Sequence, residues 1–130
     1  MRAIRSLFGS KPVKTLRGSL NRVRIILQEQ QRWLQESLFD ASPDGPAAHH
    51  GVRTATRCCL AGALEFLAED HRQVLTDLII TIIEQSEPEF PRNTRTSRVA
   101  ISEWNDHPGR THAEVMELID KALDQLHTMI

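Results

Sequence analysis

The chain is short of the features that usually announce a function. Its longest apolar runs, such as Leu78-Ile79-Ile80, are far too brief to span a bilayer. The opening MRAIRSLFGSK is basic but lacks a sustained apolar stretch and a small-residue cleavage site, so no secretory signal is expected. There are 2 cysteines, Cys58 and Cys59, and as sequence neighbours they make a poor disulfide with each other. With no third thiol, a reducing, cytoplasmic setting is expected. The signatures GxSxG, the P-loop, GxGxxG and HExxH are absent. His49, His50, Cys58, Cys59, His107 and His112 are potential metal ligands, yet they show neither CxxC nor HxxxH spacing. Neither a metal nor a cofactor is expected.

What is present is enough for one ordinary core. A chain of 130 residues with 40% hydrophobic and 25% charged residues falls in the range of single globular domains. Gly9 and Pro12 break the start, so residues 1–12 read as a basic, irregular arm and 13–130 as a single helical domain. The formal net charge of -1 conceals an asymmetry. Arg2, Arg5, Lys11, Lys14, Arg17, Arg22 and Arg24 fall in the first 24 residues with no acid among them, whereas the remainder carries 9 basic against 17 acidic residues. Clustered lysine and arginine attract phosphates, which makes these seven residues the candidate nucleic-acid contacts. Only Phe8 interleaves them, so base-stacking aromatics are scarce.

Hydrophobic spacing predicts an all-α fold, a compact bundle of four to five helices with a long loop at 40–52. Leu16, Leu20, Val23, Leu27, Leu34 and Leu38 recur at helical intervals, which predicts a first helix from Val13 that ends near either Arg32 or Phe39. The turn-rich DASPDGPAAHHG follows, with Asp44-Gly45 as a possible small hairpin. A second, central helix is expected over 53–68, with Cys59 as a small buried hydrophobe and Cys58 as the more exposed thiol. A third begins at Asp70, capped by its side chain with Gln73 three residues on, and carries Val74, Leu75, Leu78, Ile79, Ile82 and Ile83 inward until Pro88 and Pro91 stop it. A short helix over 96–104 places Val99, Ala100, Ile101 and Trp104 inside. The last, from Thr111 to Thr128, opens on a Thr111/Glu114 capping box and buries Val115, Leu118, Ile119, Ala122, Leu123 and Leu126.

The stretch SEWNDHPGRTHAEV, 102–115, concentrates the chemistry. In one reading Asn105 and Asp106 end a helix, Pro108 and Gly109 set a turn, Thr111 caps the next helix, Trp104 is core and Arg110 pairs with Asp106 or another carboxylate. In the other, Arg110 and the Thr111 amide hold a phosphate or carboxylate at the helix N-terminus, with Asp106 and His107 as acid or base. Glu114 opposes the anion, because its charge lies in the same first turn.

Ala55-x-Arg57-x-Cys59-x-x-Gly62-Ala63-Leu64 followed by Trp104-Asn105-Asp106-x-x-Gly109-Arg110-Thr111-x-x-Glu114-Val115 resembles a small family of bacterial and phage proteins that carries only a domain-of-unknown-function label. The similarity includes Arg32-Trp33 and Asp44-Gly45 and covers about residues 24–128. Family members usually have glycine where Arg32 stands. The resemblance implies no activity; it implies that the two motifs meet, so that Arg57, Cys59, Asn105, Asp106 and Arg110, with His107 and Thr111 beside them, form a polar cluster.

Three functions remain open at this level. The first is a non-enzymatic module that binds a protein, a second copy included. A nucleic-acid-associated protein acting through the basic segment is the next. The last is a small ligand-binding protein or enzyme with an anion site at 104–111.

Overall fold

A computed structural model describes residues 13–36, 57–88, 90 and 97–128. The expected arm at 1–12 and the loop or hairpin at 40–52 lie outside the described residues. Within them the chain forms five α-helices and no strand: α1 Val13–Leu27, α2 Leu60–Leu64, α3 Glu69–Ser86, α4 Ser97–Asp106 and α5 His112–His127, with a 3-10 turn at Gln30–Arg32. The all-α architecture follows from the apolar periodicity. Leu16, Leu20, Val23 and Leu27 are fully buried on one face of α1, and Val115, Ile119, Ala122 and Leu126 are fully buried on one face of α5. These two helices pack along each other, and α3 packs against α4 and α5. Each fully buried leucine or isoleucine contributes roughly 1.5–3 kcal/mol relative to an exposed one. No helix among the described residues is long and apolar enough to cross a membrane.

Several elements differ from their sequence expectation, and each has a local cause. The first helix stops at Leu27, before either expected end. The chain then turns and pairs with residues 57–58: Leu34 N–H donates to Cys58 O at 3.0 Å, and Cys58 N–H donates to Arg32 O at 2.9 Å. This pairing makes an isolated parallel bridge between Trp33 and Cys58. The same two bonds shorten the expected helix over 53–68, of which residues 53–56 lie outside the described residues. Cys58 is committed to extended backbone, and Cys59, extended at φ -83° and ψ 179°, becomes the N-cap of the five-residue α2. Cys58 is therefore buried, against the expectation of an exposed thiol.

The third helix begins one residue earlier than expected and lacks the capping box. Ala68 occupies the N-cap position with no side-chain bond. Asp70 accepts instead from the adjacent His71 N–H, and Gln73 donates one turn forward to Asp77. Its apolar stripe is buried as expected, apart from Val74, which is partly buried. The short helix α4 extends to Asp106 and turns Val99 outward to 45% exposure, because Ala100, Ile101 and Trp104 occupy the inner face at the spacing of a single helical stripe. The last helix starts as expected: Thr111 Oγ1 accepts from Glu114 N–H, and Glu114 accepts from Thr111 N–H.

Candidate functional site

The WND motif sits at the C-terminal end of α4, where helix carbonyls lack intrahelical partners and the chain must reverse. Asn105 is fully buried at this end. Its Oδ1 accepts from Trp33 Nε1 at 2.7 Å and from the Leu60 backbone N–H at 3.1 Å. Its Nδ2 donates to Leu34 O at 3.0 Å and to Asp106 Oδ1 at 2.9 Å. An indole N–H and an amide N–H only donate, whereas a carbonyl and a carboxylate only accept, so the four partners fix which way the amide faces. Two accepted and two donated bonds fill the amide's ordinary capacity. One side chain thereby joins three distant segments: the turn after α1, the start of α2 and the end of α4.

Neighbouring groups complete this corner. Gln35 Nε2 donates to the Asn105 carbonyl at 3.0 Å and the His107 carbonyl at 3.3 Å, covering the end of α4. Asp106 Oδ1 also accepts from Glu36 N–H at 2.8 Å, and Glu36 stands at φ 70°, a left-handed conformation that a non-glycine residue adopts only when held there. Cys59 Sγ accepts from Gly62 N–H at 3.3 Å. Burial pushes the Cys59 thiol above its ordinary pKa, and the nearby Asp106 charge pushes it further the same way, while backbone N–H contacts oppose the shift. A protonated, buried thiol is a packing and capping group rather than a nucleophile.

The second half of the motif is equally self-engaged. Trp104 is buried and its Nε1 donates to Glu87 Oε2 at 2.6 Å. The Arg110 guanidinium lies 3.9 Å from the Trp104 ring centroid, and its Nε donates to Trp104 O at 2.8 Å. Its two terminal nitrogens stand 3.5 Å from Glu87 and Glu114 respectively. Only 6% of the Arg110 side chain is exposed. Gly109, at φ +86°, makes the reversal; a Cβ there would meet nothing within 4 Å, so conformation rather than space calls for glycine. Glu114 is held below the usual glutamate range, first by the Thr111 N–H it accepts and then by Arg110. His112 Nε2–H donates to Leu27 O at 2.6 Å and its ring stands 6.3 Å from that of Trp33, tying α1 to the start of α5.

The expected polar cluster therefore divides. Cys59, Asn105 and Asp106 come together in one network, and Arg110 belongs to a second built on Trp104. Arg110 pairs with Glu87 and Glu114 rather than with Asp106. Thr111 is exposed as a helix cap, His107 is exposed with Nδ1–H donating to Pro108 O at 2.8 Å, and Arg57 is exposed ahead of the Cys58 bridge. Sequence reasoning missed Gln35 and Glu87. Glu87 lies in the Pro-rich connector with no periodic signal, and Gln35 falls where the spacing predicted more helix.

A separate feature escaped sequence reasoning altogether. A cleft of about 550 Å³ opens among α2, α3 and α4, floored by Ala61, Leu64 and Ile101. On its rim Glu65 receives Arg72 Nη1 at 2.5 Å and Arg98 Nη2 at 2.9 Å. Asp77, also on the rim, accepts from Ser97 Oγ at 2.8 Å and Gln73 Nε2 at 3.3 Å. Apart from Gln73–Asp77, which lie one turn apart on α3, these pairs join residues from different elements, so no single window of sequence displays the whole set. Of the basic residues in the first segment, Lys14 and Arg17 line a shallower groove between α1 and α5 with Asp124 and His127, and Arg24 is bonded to Asp120 at 2.7 Å. Arg22 is exposed, whereas Arg2, Arg5 and Lys11 lie outside the described residues.

Fold and site together define an all-α protein whose most distinctive sequence motif closes a buried corner between helices. Over residues 11–125 the chain matches DUF6197, a family of unknown function, and it belongs to that family. No curated protein and no solved structure matches it.

Proposed function

We propose that the protein is a non-enzymatic interaction module whose partner, a protein, is received at the cleft among α2, α3 and α4 rather than at the WND corner. The observation that carries this reading is the contrast in commitment. Asn105 has filled its hydrogen-bonding capacity, and Arg110 is 6% exposed and surrounded by its own chain. Around the cleft, charged groups frame an open mouth above Ala61, Leu64 and Ile101, and the concavity lies in the size range of pockets that receive ligands. Burial and protonation of Cys59 also argue against a thiol enzyme. Two buried, unbridged thiols are in keeping with a reducing, cytoplasmic setting, and the motif resemblance favours a bacterial or phage source.

The test is a rim-blocking substitution. Gln73 is exposed at the cleft, so Gln73→Trp fills its mouth without disturbing the core. Crosslinking in the source cell, with light scattering of the purified chain to detect self-association, is expected to show a partner held by the wild type and lost from Gln73→Trp. A strict monomer that retains no partner, or one whose partner is indifferent to this substitution, rejects the reading.

The nucleic-acid reading keeps one supporting observation, the grouping of Lys14, Arg17 and His127, with Asp124 as the one acid among them, along the α1–α5 groove. Neutralising Lys14, Arg17 and Arg22 is expected on that reading to abolish binding and its salt dependence; unchanged affinity rejects it.

A further inference from the structure

We infer that the α2–α3–α4 cleft takes the C-terminal end of a peptide chain, with the terminal carboxylate on Arg72 and Arg98 and an apolar last side chain over Ala61, Leu64 and Ile101. The inference rests on the interaction-module reading and gives its partner a chemistry.

Charge decides which end of the cleft meets an anion. Arg72 and Arg98 share one carboxylate, Glu65, through a single nitrogen each. A guanidinium has five N–H donors in a planar fork, so most donors of both arginines remain uncommitted among the described residues. Two guanidinium groups around one carboxylate leave a net positive charge, and a second carboxylate completes the pairing. Side-chain exposures of 34% for Arg72 and 56% for Arg98, against 18% for Glu65, put the positive groups outermost.

The other rim selects a peptide over a simple carboxylate. Asp77 accepts one bond on each oxygen, from Ser97 and Gln73, and a carboxylate has about four lone-pair positions. An acceptor with capacity to spare complements a donor, and the last peptide N–H belongs to the same residue as the terminal carboxylate. Between the two rims lie Ala61, Leu64 and Ile101, which offer the last side chain van der Waals contact rather than hydrogen bonds and so match an apolar one. A concavity of about 550 Å³ receives the end of a chain, whereas an interface between folded surfaces buries about 800 Å² on each partner.

The test uses amide chemical shifts of the full chain titrated with acetyl-Gly-Ser-Ala-Leu as the free acid, with its C-terminal amide, and with 4-methylpentanoate. The free acid is expected to shift the amides of Ala61–Glu65, Arg72–Asp77 and Ser97–Ile101 saturably. The amide twin and Arg98→Gln are each expected to weaken binding about tenfold or more, the loss of one charge-assisted contact. Because Arg98 is the more exposed partner, Arg98→Gln keeps the fold. Three results overturn the inference: no saturable shift with any probe, equal binding of acid and amide, or binding of 4-methylpentanoate as tight as that of the peptide. If Gln73→Trp releases a cellular partner while the free acid does not bind, the interaction module stands and only its ligand chemistry falls.

Discussion

The corner between α4 and α5 and the cleft among α2, α3 and α4 use similar residue types, arginine, carboxylate and amide, in different surroundings. At the corner the arginine and the amide are buried and bonded within their own chain: Arg110 is 6% exposed between Glu87 and Glu114, and Asn105 is fully buried with four partners. At the cleft Arg98 is 56% exposed and shares Glu65 with Arg72. A buried polar group left without its partner costs about 1–3 kcal/mol, whereas an exposed ion pair contributes about 0–1 kcal/mol. The same chemical vocabulary therefore stabilises the fold in one place and is available for recognition in the other. Motif density in the sequence marks the first and not the second.

Substitutions sharpen the contrast by size. The largest effect is expected for Asn105→Ala, which strands the Trp33 indole N–H, the Leu60 amide and the Leu34 carbonyl together; urea denaturation should show a loss of about 3 kcal/mol or more. Arg110→Met keeps the stem over Trp104 but removes the guanidinium from the ring and from the Trp104 carbonyl, for a loss of about 2 kcal/mol. An unchanged urea midpoint for Arg110→Met would reopen the case for an anion site there.

Thr111→Ala, which removes one half of the capping box, should cost about 1 kcal/mol. The other half is pH-dependent. Because the folded-state pKa of Glu114 is lowered, its contribution is fully present above the unfolded glutamate value of about 4.3 and is lost as pH falls through the folded value. Wild type and Glu114→Gln should accordingly differ in melting temperature at neutral pH and converge in acid. Smallest of all, Arg98→Gln at the cleft should stay within about 0.5 kcal/mol of wild type. A loss as large as that of Arg110→Met would erase the distinction between the two regions.

Much of the fold was legible because helices with one greasy face declare themselves. The stripes of α1, α3 and α5 and the capping box at Thr111 follow directly from spacing. The middle of the chain was not legible, since a long-range backbone pairing overrides local preference. Nothing near Cys58 signals that its carbonyl and amide bond to residues 32 and 34, and that pairing turns an expected helix into five residues. The corner was legible as a meeting of two motifs. Its centre was not, because Asn105 reads locally as a helix terminator, and only tertiary contact gives it Trp33 and Leu60. The cleft was not legible as a unit, because Glu65 at the end of α2, Arg72 and Asp77 on α3 and Arg98 on α4 converge only in the fold.

The structural role of Asn105 can be read from a single proton. Leu60 is the first residue of α2, where no preceding turn supplies an acceptor, so its amide depends on Asn105 Oδ1. Native-state hydrogen exchange at the Leu60 amide should show protection approaching that of the core helices, and Asn105→Ala should remove it. Exchange of that amide in the wild type at the rate of an open loop would contradict the account.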